Sequence, residues 1–259
     1  MRSIKLATSL ATIITILLTL SACGDGKGNV NGDSLTTIGD PTPKLSQSNE
    51  PLNILIFGGS SGIGLETTRL ALERGHNVTS ITRRPERMPI EHKNLANLKG
   101  DITKPETYSQ QFNGQNIIIS SIGLGSREPT TVYSGGMQSV LQAMQEAEVQ
   151  RVISITGIGA GDSKGHGGFF YDRILNPLML KEDYKDKTRQ EQILRNSSAK
   201  WTIVRPGFLT NEQSEQTYRV IQDMQGFTSG DVARADVAHF LTALAEQGSY
   251  INKTVFLSK

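Results

Sequence analysis

Leu52-Asn53-Ile54-Leu55-Ile56-Phe57-Gly58-Gly59-Ser60-Ser61-Gly62-Ile63-Gly64 is a short apolar run that breaks into a glycine-rich turn and then resumes with helical spacing. It reads as strand, turn, helix. The unbroken run of isoleucine, leucine and phenylalanine suits a strand of a parallel sheet buried on both faces. Gly58, Gly62 and Gly64 stand where a tight turn, close approach of a pyrophosphate and close helix packing each exclude a Cβ. A bland βα turn is also glycine-rich, so the reading depends on what surrounds it.

Downstream, Ile63, Leu65, Leu70 and Leu72 mix with Glu66, Arg69, Glu73 and Arg74, and Gly75 is placed to end the helix. Asn77 to Thr82 forms a second strand, and Arg83 and Arg84 follow it directly. In a dinucleotide-binding unit the tip of that strand meets the adenosine ribose, where an acid would bond a 2′-hydroxyl and arginine accommodates a 2′-phosphate. With no acid and two arginines, the sequence favours NADP(H) over NAD(H); a solvated basic turn is the structural alternative.

Leu95 to Lys99 is a weak third strand, followed by Asp101, which is placed to cap a helix starting near Pro105 or to lie beside an adenine. Asn116 to Ser121 is a clear fourth strand, closing on small residues. Ser134 to Ala147 reads as helix, and Arg151 to Ile155 as a fifth strand that ends in Thr156-Gly157-Ile158-Gly159-Ala160-Gly161. Alternation at this spacing predicts an α/β fold, a Rossmann-like doubly wound parallel sheet in a single domain, with ligands outside the carboxyl ends of the strands. Arg205-Pro206-Gly207 ends a sixth strand and turns the chain into a substrate region from Phe208 to Gly230. A last helix from Ala235 to Gln247 and a strand from Thr254 to Leu257 complete the sheet.

These segments resemble the short-chain dehydrogenase/reductase superfamily, in its atypical NmrA-like and biliverdin-reductase-B-like branch of NAD(P)H-binding proteins. The similarity runs from about Leu52 to the C-terminus. It is carried by the glycine turn, Gly75-His76-Asn77-Val78 leading to Arg83, Gly100-Asp101, Trp201-Thr202-Ile203-Val204-Arg205-Pro206-Gly207 and Arg234-Ala235-Asp236-Val237-Ala238. The glycine spacing itself is closer to that of the main reductases than to that of the branch. The resemblance implies pyrophosphate contact by Ser60, Ser61, Gly62 and Ile63, and 2′-phosphate contact by Arg83 and Arg84. Asp101 and Ile102 would meet the adenine, and Ser121, Ile122 and Gly123 the nicotinamide ribose.

Main-group members place a tyrosine four residues before a lysine, whose charge lowers the phenol pKa for proton transfer. Here Lys187 takes the lysine position, Asp183 stands four residues before it and Tyr184 three before, still on one helix face. Thr156 matches the position where the family often has serine, with a hydroxyl to orient a carbonyl. The candidate catalytic set is therefore Thr156, Tyr184 and Lys187, against a plain solvated helix face from Lys181 to Arg189. His166, in a glycine-rich loop with Phe169, Phe170 and Tyr171 beyond, reads as part of a lid or as an exposed loop residue. No metal-ligand spacing is present.

Upstream, Arg2 and Lys5 precede an uncharged, mostly apolar run from Leu6 to Leu20, and Leu20-Ser21-Ala22-Cys23 resembles a bacterial lipobox. Residues 1–22 read as a lipoprotein signal peptide, Cys23 as the lipidated residue, and 23–50 as a flexible tether rich in Gly, Asn, Ser and Pro. An uncleaved membrane anchor is the alternative. The expectation is an exported chain, lipid-anchored to a bacterial membrane and facing the periplasm or exterior, with the folded domain from Pro51 onward. A net charge of +2 over 259 residues and no basic run exclude an electrostatic nucleic-acid binder.

The leading expectation is an NADPH-dependent oxidoreductase acting on a small carbonyl, quinone or flavin-like acceptor. A non-catalytic NAD(P)-binding sensor and an epimerase or dehydratase on a sugar nucleotide are the alternatives. Oligomeric state is not legible.

Overall fold

The computed structural model describes residues 39–45, 50–125, 128–169, 172–173 and 180–259. Cys23, residues 1–22 expected to form a signal peptide, Phe170 and Tyr171 lie outside the described residues.

Six strands follow one another in the expected order: β1 (Asn53–Phe57), β2 (Asn77–Thr82), β3 (Leu95–Lys99), β4 (Ile117–Ser120), β5 (Arg151–Ile155) and β6 (Lys200–Pro206). Two short strands, β7 (Phe208–Thr210) and β9 (Asp231–Ala233), pair in parallel as a separate small sheet, while β8 (Arg219–Ile221) and β10 (Lys253–Ser258) extend the main one. The main sheet has the order β3-β2-β1-β4-β5-β6-β10-β8, parallel throughout except for β8 against β10. Chain progression reverses between β1 and β4, the place where a doubly wound sheet opens a crevice at its carboxyl edge. This is a Rossmann-like α/β domain.

Strand side chains alternate between two apolar layers. Ile54 and Ile56 face α1 (Gly62–Glu73) and α4 (Arg234–Gln247), where they join Ala71, Leu72, Val237, Phe240 and Leu241 in one buried cluster. Leu55 and Phe57 point the other way, toward Met137, Val140 and Met144 of α2 (Val132–Glu146) and Leu194 of α3 (Lys181–Arg195). Among the described residues no helix is long and apolar enough to cross a membrane.

Helix α3 departs from the usual amphipathic pattern. Its inner face carries Asp183, Asp186, Gln190 and Glu191, all buried. The charges are matched by specific partners. Asp186 accepts from the Tyr133 N–H (2.8 Å), the Ser134 N–H (3.3 Å) and the Ser134 hydroxyl, so a carboxylate of α3 caps the N-terminus of α2. Glu191 accepts from Arg205 Nε at 2.9 Å and pairs with Arg205 Nη2 and, at 3.3 Å, with Arg195.

Two segments differ from expectation. The helix predicted near Pro105 is instead two 3₁₀ turns, Pro105–Thr107 and Ser109–Phe112. Tertiary packing sets this: Tyr108 and Phe112 close on Phe57, with Tyr108 edge-on at 4.8 Å, and the Tyr108 hydroxyl donates to the Ile102 carbonyl. Within the expected tether, residues 39–45 lie along the domain rather than apart from it. Asp40 exchanges backbone bonds with Val220 of β8 (2.7 and 3.0 Å), the Thr42 hydroxyl donates to the Tyr218 carbonyl, and Gln247 donates to the Lys44 carbonyl.

Candidate functional site

The glycine turn leaves β1 at the switch point and enters α1 with Ser61 as its extended N-cap residue. A Cβ at Gly64 would stand 2.2 Å from the Gly58 carbonyl oxygen, so the first helical turn can sit this close to the strand end only with glycine there. The Ser60 hydroxyl lies 3.0 Å from that of Thr82, tying the turn to the end of β2.

A cavity of about 170 Å³ opens over these strand ends. It gathers Gly58, Ser60 and Ser61 from the turn, Arg83 and Arg84 from beyond β2, Asp101 and Ile102 from beyond β3, and Ser121, Ile122 and Gly123 from beyond β4. Gly62, Ile63 and Gly64 belong to α1 behind it. Among the described residues, a Cβ at Gly123 would meet no atom within 4 Å apart from its chain neighbours, so the floor of the cleft is open backbone there. Glycine turn, basic rim and open floor together fit a dinucleotide.

A third arginine, Arg87, lines the same cavity, and the sequence reading missed it. Its signal is Pro85, which begins a 3₁₀ turn; Arg87 N donates to the Arg84 carbonyl at 3.1 Å and folds Arg87 back toward Arg84. Asp101 serves as a local cap: its Oδ1 accepts from the Thr103 N–H (3.0 Å) and hydroxyl (2.8 Å). The Thr103 N–H bond, outweighing partial burial and helped by the Thr103 hydroxyl and Arg83, holds the Asp101 carboxyl below its usual range. Ile102 is buried against Gly136 of α2, with only an edge toward the cavity.

Tyr184 and Lys187 do come together. Lys187 Nζ donates to the Thr156 carbonyl at 2.8 Å and lies 5.2 and 5.1 Å from the ring centres of Tyr133 and Tyr184. Burial pushes this ammonium down to about 8, with Asp183 and Glu191 pulling the other way. The Tyr184 hydroxyl lies beside Gly157, at 2.9 Å from where a Cβ would stand.

Thr156 is a correction. It is buried, and its hydroxyl donates to Glu191 Oε1 at 2.8 Å, so the proton expected to orient a carbonyl is committed to the Glu191–Arg205 ion pair. Asp183, at the position the main reductases give to tyrosine, is buried too and accepts from the Tyr133 hydroxyl (3.2 Å). Tyr133 in turn accepts from the Leu124 N–H (2.8 Å), and burial raises its phenol well above the usual range. Position 183 therefore braces α2 and the loop after β4. Only knowledge of which helix faces which would have shown Tyr133 and Asp186 in advance. His166 is likewise engaged, its Nδ1 lying 2.9 Å from the Phe227 carbonyl oxygen, while Phe169 is exposed. Among the described residues no cluster of histidine, cysteine and acids could hold a metal ion.

Comparison with known proteins agrees with this geometry. The family model described as NAD(P)H-binding matches residues 58–248. The protein named uncharacterized sugar epimerase YhfK of Bacillus subtilis is 25% identical over 218 residues, covering 80% of this chain and 94% of that one. Among solved structures, the anaerobillin reductase ChuY of Escherichia coli O157:H7 superposes with a TM-score of 0.68 at 23% identity, covering 80% of this chain and 96% of its own. A short-chain dehydrogenase/reductase of Veillonella parvula in complex with NADP gives 0.68 at 18%, covering 80% and 94%. With the family match spanning the glycine turn, the arginine rim and helices α1 to α4, the chain belongs to the NAD(P)H-binding family.

Proposed function

We propose that the protein is an NADPH-dependent oxidoreductase that passes hydride to a small carbonyl, quinone or flavin-like acceptor above the carboxyl edge of the sheet. The reading is carried by Arg83, Arg84 and Arg87, which share one cavity with the glycine turn where β2 ends without an acid. Guanidinium groups pair bidentately with phosphate oxygens, which favours a 2′-phosphorylated dinucleotide. When bound, the dinucleotide supplies a hydride from its nicotinamide ring. The chain supplies the proton. Lys187, held near neutrality by burial, releases and regains one beside the Tyr184 ring, and the Thr156 carbonyl fixes its ammonium in place.

The test is nucleotide affinity by calorimetry. Arg83→Ala is expected to weaken NADPH by about 10- to 100-fold, the range of one charge-assisted contact, and to leave NADH nearly unchanged. Equal NADPH affinity in the variant and the wild type would sink the 2′-phosphate role. A second reading, a sensor that binds the nucleotide without oxidising it, is favoured by the buried Asp183 in the tyrosine position. NADPH absorbance that persists with every acceptor class would select it.

We also propose that the chain is exported and held on a bacterial membrane through lipid on Cys23. The support is the lipobox-like Leu20-Ser21-Ala22-Cys23 after a charged start and an apolar run.

A further inference from the structure

The motif Arg234-Ala235-Asp236 opens α4, and neither residue with a charge is used by the cleft described above. Asp236 is fully buried; its Oδ1 accepts from the Ser214 hydroxyl and the Gln216 N–H (3.0 Å). Arg234 is spent on one side only. Its Nη1 donates to the Thr210 carbonyl (3.1 Å) and to Asn211 Oδ1 (2.7 Å), and lies 3.5 Å from the Leu209 carbonyl oxygen. The two side chains thus fasten the start of the substrate region to the first turn of α4.

The other edge of the guanidinium faces the glycine turn. Gly62, the first residue of α1, has φ +54° and an open outer side: among the described residues, only Arg234 Nε comes within 4 Å of the place a Cβ would occupy, at 3.9 Å. Among the described residues, Arg234 is also the single cation lining the cavity of about 580 Å³ that adjoins Gly62, where Glu66 and Glu212 supply opposite charge. An arginine held by its far nitrogen, with its near edge at a phosphate-binding turn, is arranged to receive an anion there.

We propose that Arg234 contacts the diphosphate of the bound dinucleotide from the α4 side and thereby ties nucleotide occupancy to the segment of residues 209–211. This rests on the nucleotide reading above and adds to it a phosphate ligand far in sequence from the glycine turn. The same guanidinium that already fastens residues 209–211 would then also serve the diphosphate.

The experiment compares two ligands by calorimetry on the full chain: NADPH, and adenosine 2′-monophosphate, which keeps the 2′-phosphate and carries neither phosphate of the diphosphate. Arg234→Ala is expected to weaken NADPH by about 10- to 100-fold while changing the 2′-monophosphate less than about 2-fold. Asn211→Ala, which removes the 2.7 Å acceptor that aims the guanidinium, should give a smaller loss in the same direction. Retained 2′-monophosphate binding shows that each variant is folded. Equal losses for both ligands would make Arg234 a purely structural residue and overturn the proposal, as would unchanged NADPH affinity in Arg234→Ala. Failure of the wild type to bind either ligand would instead refute the nucleotide reading, and this proposal with it.

Discussion

Lys187 offers a test that needs no substrate. An unfolded chain releases this proton at about 10.5, the ordinary lysine value, whereas in the fold burial brings it to about 8. The difference means that enclosing the charged lysine costs about 3 kcal/mol at pH 7, where both states carry the proton. Between pH 8 and 10.5 the unfolded state still binds a proton that the folded state has released, so stability rises with pH across that window. Asp183 and Glu191 face the ammonium and offset part of the burial effect. Other lysines and tyrosines titrate nearby in pH, so the informative quantity is the difference from Lys187→Met, in which that background cancels. From pH 7 to pH 10 the wild type should gain about 2 to 3 kcal/mol on the variant, roughly 4 to 12 °C in melting midpoint for a domain of this size. Loss of the bond to Thr156 shifts the variant by a constant and leaves the slope alone. Parallel pH curves for the two proteins would show that the lysine is not held near neutrality and would remove the proton-transfer role assigned to it.

Glu191→Ala strips Arg205 of its main partner while the guanidinium stays buried, and an uncompensated buried charge costs about 3 to 5 kcal/mol. A urea melt should register that loss, and Glu191→Met with Arg205→Leu should recover most of it; a single variant within about 1 kcal/mol of wild type would contradict the account. For Cys23, intact mass of the membrane-associated protein should show a chain that begins at this residue and carries a diacylglycerol, and an unmodified Met1 would dismiss the anchor.

The parts of the fold written in local sequence were legible. The unbroken apolar runs of β1 and β4, Gly75 after α1 and the arginines after β2 each follow from adjacent residues, so strand order and the nucleotide cleft could be anticipated. What escaped depends on partners far away in the chain. Tyr108 and Phe112 replace a predicted helix with short turns because they pack on Phe57. The charged run of α3 reads as either solvated or catalytic, yet Asp186 caps another helix and Glu191 neutralises an arginine of β6. Thr156 reads as a substrate ligand for the same reason: its place just after β5 was legible, but not the carboxylate of Glu191 opposite it. The strands β7 to β9 are three residues each, too short for any periodic signal.

The segment of residues 39–45 has a consequence for how copies of this protein meet. Its link to β1 is only a few residues long, so it confronts β8 at an effective concentration in the millimolar range, far above that of another chain in dilute solution. Intramolecular pairing therefore wins at that edge. In an extended chain alternate residues turn their N–H groups to opposite sides; with Asp40 turned toward Val220, Pro41 and Pro43 fall on the outward side. Proline has no N–H to offer, so the segment that bridges to β8 at Asp40 offers a further strand no donor at these two positions. The two prolines that mark a linker by composition act here as the end of the hydrogen-bond ladder.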